Sequence, residues 1–189
     1  VAALTVTAIN GLGTTVESLT TTQVAALTAA QVAGLSTTVL GALETTDLQA
    51  LTATQIGTLS TTVLNNLSTT QIAALTTTQV QGLTTTQLNG IGTTNLDALN
   101  VTRLSTAQVS GLSTTAIGNL TTTQAAALTA SQIASLGSDD LNALATAAFG
   151  VLSLADRKFT AERVHAGSSV PGPRFDVLQG NVVARVGNR

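Results

Sequence analysis

The sequence predicts a mainly α protein: a solenoid of very short helices, one per octapeptide, with a small C-terminal β-hairpin or flexible tail. Three observations carry this. An eight-residue pattern recurs from Leu19 to Leu144. Two apolar positions in each unit lie three residues apart. Ser or Thr followed three residues later by Gln opens unit after unit. A short period sustained over most of a chain is the mark of a stacked repeat array.

The units read TTTQVAAL (Thr20 to Leu27), TAAQVAGL, STTVLGAL, ETTDLQAL, TATQIGTL and onward, with a consensus of Ser or Thr, Thr, Thr, Gln, an aliphatic, two small residues and Leu. Positions five and eight are the apolar anchors: Val24 with Leu27, Val32 with Leu35, Ile56 with Leu59, Ile72 with Leu75 and Val80 with Leu83. A spacing of three puts both anchors on one side of a helix but on opposite faces of a strand. Eight residues advance a helix by about 800°, roughly 80° past two turns, so one continuous helix would carry its apolar stripe around its surface and could not bury it. The chain must break once per unit.

The break falls at position one. Thr20 with Gln23, Ser68 with Gln71 and Thr76 with Gln79 read as helix caps in a capping box, in which hydroxyl and amide satisfy backbone donors that a helix start leaves open. Helices this short do not stand alone, and stacking must supply their stability. Each cap contributes about 1 kcal/mol and each buried anchor about 1.5–3 kcal/mol.

STTVLGAL and STTVLNNL begin at Ser36 and Ser60, three units apart, which suggests a three-sided coil; alternating antiparallel pairs are the other arrangement. The shortened unit NVTRL (Asn100 to Leu104) predicts a local irregularity, a kink or a skipped corner. A β-solenoid with stacked Thr ladders competes, since Thr, Val and Ile favour strands. The anchor spacing, the Ala content and the position of Gln argue against it.

The array is expected over residues 1–154. Leu4, Ile9 and Leu12 already keep the anchor spacing, and the unit from Gly13 to Leu19 is one residue short. An N-terminal cap is not evident, which suggests truncation or stacking against another molecule, because solenoid ends need protection. Residues 155–166 read as a charged capping helix, with Phe149 and Phe159 plugging the end of the coil. Residues 167–174, containing Pro171-Gly172-Pro173, read as a linker. Residues 175–189 read as a hairpin around Gly180-Asn181 or a mobile tail, in which Phe175, Val177, Val182 and Val186 form a possible assembly element.

The composition excludes most chemistry. Of 189 residues, 8% are charged and 2% aromatic, with no Cys, Met, Trp or Tyr and one histidine, His165. Catalytic, cofactor-binding and metal-ligating residues are expected to be absent, and the chain is read as a non-enzyme. Asp139 and Asp140 lack the alternating ligands of a calcium loop and read as helix N-terminal charge. Asn10-Gly-Leu-Gly-Thr-Thr has no lysine to make a phosphate loop. Asn66, Asn100 and Asn119 head formal glycosylation sequons that Ser- and Thr-rich sequences produce readily. Residues up to Asp156 sum to −6 and those after it to +4, so the body offers nothing to a nucleic-acid backbone. Mean hydropathy is +0.39, yet no apolar run approaches the length of a membrane span.

The Leu, Ser/Thr, Thr, Thr, Gln, Val/Ile pattern between Leu4 and Leu152 resembles Thr/Gln-rich short-repeat regions of bacterial secreted and surface proteins, such as adhesins and fibre-forming proteins. The resemblance implies an extracellular or cell-surface location. The resulting expectation is a structural protein: a surface fibre subunit or rigid spacer that assembles head to tail with itself. A stack of this size would be on the order of 50 Å long. The alternative is a binding module that presents Thr arrays to ice or to a surface polysaccharide.

Overall fold

The computed structural model describes residues 3–149, 175–178 and 181–184. The chain divides into two units, Val1–Ala148 and Phe149–Arg189.

The first unit is a mainly helical solenoid of short helices in a repeated pattern. Typical members are Thr21–Ala25, Ala29–Ala33, Thr37–Ala42, Thr45–Ala50 and Ala53–Gly57. Each starts one residue after the Ser, Thr or Glu at position one and ends before the closing Leu. The break itself is two extended residues in succession. Leu51 sits at φ −69°, ψ 141° and Thr52 at φ −73°, ψ 160°, so the chain leaves one helix and enters the next through a corner.

Helices three units apart stack. Thr21–Ala25 packs on Thr45–Ala50, Ala53–Gly57 on Thr77–Gly82, and Thr69–Ala74 on Thr93–Ala98. Three helices therefore make one coil, and the antiparallel-pair arrangement, which would stack units two apart, is excluded. Val24, Leu27, Val32, Leu35, Ile56, Leu59, Ile72, Leu75, Val80 and Leu83 are all buried in one continuous core. The small residue at position seven follows from the close approach of coils. A Cβ on Gly82 would collide with the Ala53 carbonyl oxygen, and one on Gly90 would lie 2.7 Å from the Thr61 methyl carbon.

Irregular units show what the pattern requires. Gly13–Ser18 is a 3-10 helix that opens with Gly13 at φ 53°, a conformation natural only to glycine. In the shortened unit, Val101–Arg103 makes a single 3-10 turn, and Val101 and Leu104 still fill the two anchor positions. Leu104 keeps the extended corner conformation at φ −66°, ψ 141°. The corner is thus retained and the side is shortened, rather than the corner being skipped. Helix Ser138–Phe149 runs twelve residues because Ala145 stands where a Ser or Thr cap would break it after Leu144.

In the second unit, strands β1 (Phe175–Leu178) and β2 (Asn181–Ala184) form an antiparallel hairpin, with Phe175 opposite Ala184 and Val177 opposite Val182. Val186, the capping-helix segment 155–166, the linker 167–174, Phe159 and the side chain of Phe149 lie outside the described residues.

Candidate functional site

The distinctive side-chain arrangement of this chain is its corner, where one helix ends, the next begins, and a third residue arrives from the coil above. Nine helices among the described residues open with a complete capping box, those of Thr20, Thr28, Thr52, Ser68, Thr76, Thr84, Ser105, Thr121 and Thr129. At Thr76 the hydroxyl accepts from the Gln79 backbone N–H at 3.3 Å, and Gln79 Oε1 accepts from the Thr76 backbone N–H at 3.0 Å.

The other end of that glutamine does something the capping box does not require. Gln79 Nε2 donates to the carbonyls of Leu48 at 2.7 Å and Leu51 at 2.8 Å, four units back and one coil down. Those carbonyls belong to the last turn of a helix, where Leu48 has only the Leu51 N–H as a backbone donor and Leu51 is left for the side chain to satisfy. One side chain thus serves the start of its own helix and the end of another. Gln87 repeats this on Ile56 and Leu59, Gln108 on Val80 and Leu83, Gln124 on Leu96 and Leu99, and Gln132 on Val101 and Leu104. Gln71 holds Leu43 at 2.8 Å. These glutamines are buried, whereas Gln23, which makes the box alone, is exposed.

Where position four is not glutamine, another residue takes over. Asn95 donates to Leu64 and Leu67 but is too short to reach back to its own cap, Gly92. Asn65 from the coil below accepts from the Gly92 N–H at 2.7 Å and donates to the Gly90 carbonyl at 3.0 Å. Asn10 does the same for Ser36 and Gly34, whose helix has Val39 at position four, and Asn89 for Ser113 and Gly111, whose helix has Ala116. The shortened unit has no position four, and Arg103 Nη1 donates to the Leu75 carbonyl in its place. The one cation of the acidic body is a structural donor. Val63 and Asp47 have no such stand-in; Asp47 is buried at position four, cannot donate when ionised, and accepts from Thr21 Oγ1 at 3.0 Å.

The sequons are partly absorbed by the same architecture. Asn66 Nδ2 donates to the Thr37 carbonyl, and Asn100 Oδ1 accepts from the Thr102 backbone and hydroxyl at 3.1 and 2.7 Å. Asn10, the start of the discounted phosphate loop, is one of the corner asparagines. Asp139 and Asp140 lie in the first turn of Ser138–Phe149. Among the described residues no group of three or more His, Cys, Asp or Glu could hold a metal ion, and no helix is long and apolar enough to cross a membrane.

Position three faces outward. Thr22, Thr46, Thr70, Thr94 and Thr115 occupy the same side of successive coils and are exposed. Unlike the position-one hydroxyls, which accept from backbone N–H groups, they take no part in the capping boxes.

The ALTTAQ repeat family model matches residues 40–77 and 56–85. Read against this chain, the description is the corner, as in Ala74-Leu75-Thr76-Thr77-Thr78-Gln79: a closing Ala-Leu, then a cap and its glutamine. No curated protein and no solved structure matches the chain.

Proposed function

We propose that the chain is a structural or interaction protein, a rigid spacer or the subunit of a surface fibre, whose arrays stack head to tail. The observation that supports this is the polarity of the corner bonds. The position-four glutamines that bridge coils donate in one direction along the stack, from Gln79 to Leu51 and from Gln132 to Leu104, so these corners give a coil a donor side and an acceptor side, while Gln49, Asn65 and Asn89 donate the other way, to Ala74, Gly90 and Gly111. Any coil that ends on acceptors is complementary to any coil that begins on donors, and such heterologous contacts extend into filaments when they do not close. Apolar anchors add to this: Ile133 and Leu141, at position five of the last described coil, are 38% and 41% exposed, against 1% for Ile72. We place the protein outside the cell or at its surface on the resemblance described above, and we read it as a non-enzyme without a cofactor or nucleic-acid partner. Electron microscopy of the purified chain across a concentration series tests the reading. Elongated particles or fibres that lengthen with concentration are expected, and compact monomers at every concentration would overturn it.

The second reading is a binding module for ice or a surface polysaccharide, favoured by the outward column of Thr46, Thr70 and Thr94. Replacing these three by Val removes the hydroxyls from positions that make no corner bond. Loss of thermal hysteresis or of glycan retention relative to the parent supports this reading, and absence of both activities in the parent excludes it.

A further inference from the structure

We infer that the coil containing the shortened unit, Asn100 to Leu120, is a joint at which the array opens before the coils on either side of it do. The unit from Asn100 to Leu104 has lost three residues, and with them a helical turn and its glutamine. Arg103 donates to one carbonyl of the coil below, Leu75, where Gln79 donates to two. The same coil includes Ala116 at position four, which donates nothing, so Gln108 is its one cross-coil glutamine, and Asn89 from below adds a bond each to Ser113 and Gly111. In the coil below, Gln79, Gln87 and Asn95 all donate downward.

Close packing persists across this boundary, since a Cβ on Gly111 would lie 2.5 Å from the Thr85 methyl carbon, so the joint is marked by its missing donors and its lost helical turn. In a repeat array each unit leans on its neighbours alone, so stability is nearly a sum of local terms, and local opening concentrates where those terms are smallest. The joint stands on these contacts, whether or not arrays assemble with one another.

Hydrogen–deuterium exchange on the full chain tests it through amides of one kind, those at position five that donate to the position-one carbonyl. Val109 and Ile117 represent the joint; Ile72, Val80 and Leu88 lie on one side and Ala125 and Ile133 on the other. Exchange at Val109 and Ile117 is expected to be at least tenfold faster than on either side. Equal rates throughout, or a steady gradient toward Ile133, would overturn the inference. Inserting Thr-Thr-Gln between Asn100 and Val101 restores an octapeptide and is expected to bring Val109 to within threefold of Val80. An inserted chain that folds by circular dichroism yet leaves Val109 fast would overturn it too, and if the insertion prevents folding the parent's exchange pattern decides alone.

Discussion

Gln79 and Leu51 lie in different coils, and the glutamine's amide nitrogen donates to the leucine's carbonyl at 2.8 Å while its amide oxygen accepts from the Thr76 backbone. The same side chain caps a helix start and a helix end. Stacking and local helix formation are therefore coupled through one residue per unit, which is why helices of five or six residues persist.

If Gln79 acted through its capping box alone, removing it would cost no more than removing Gln23. The corner predicts otherwise. Gln79→Ala leaves the Leu51 carbonyl and a cap N–H without partners, and the Leu48 carbonyl with only the Leu51 N–H, at a 2% exposed site, and is expected to cost about 2–4 kcal/mol, against about 0.5–1 kcal/mol for Gln23→Ala. Denaturant titration of both variants measures the difference.

Asp47 occupies the glutamine position without a donor to offer when ionised. Asp47→Gln adds a capping-box acceptor for the Glu44 N–H and a donor aimed at the corner below, which Leu19 closes. The variant is expected to be more stable than the parent by about 1 kcal/mol. A lower melting temperature would show that this corner is built differently.

The asparagine route and the glutamine route to a cap N–H should substitute for each other. Asn65→Ala removes the acceptor from Gly92 and is expected to cost about 1–2 kcal/mol. Adding Asn95→Gln lengthens the side chain enough to reach Gly92 from its own helix, and about 1 kcal/mol should return. A double-mutant cycle by thermal or chemical unfolding reads the coupling directly, and strict additivity would contradict the exchange of roles.

Two glycines separate close packing from helix propensity. Gly82→Ala drives a methyl into the Ala53 carbonyl and is expected to destabilise by about 1–3 kcal/mol. Gly118 has nothing within 4 Å of where a Cβ would stand, so Gly118→Ala should stabilise by about 0.5–1 kcal/mol. Melting curves of the two variants should move in opposite directions.

Helix, break and anchor were legible in the residues because each rests on local chemistry: a hydroxyl three residues before an amide, and aliphatic side chains three apart. Leu27, Ile72 and Val80 could be placed inside on spacing alone. The second bond of each glutamine was hidden, since its acceptors lie 28 and 31 residues earlier, as for Gln79. A faint signal existed in the replacements at position four, where Val39, Val63, Ala116 and Asn95 are all residues that accept burial. An exposed cap would tolerate lysine or glutamate as readily.

The octapeptide by itself determined that the chain forms short helices and where each one stops. Only the tertiary structure decided that three of them close a coil, that Asn65 and Arg103 stand in for missing glutamines, and that Asn100 to Leu104 shortens a side while keeping its corner. The reason is range. Caps and anchors act within one unit, whereas a carbonyl orphaned at Leu51 can be satisfied by any donor that the stack brings above it, and nothing in the local sequence says which residue that will be.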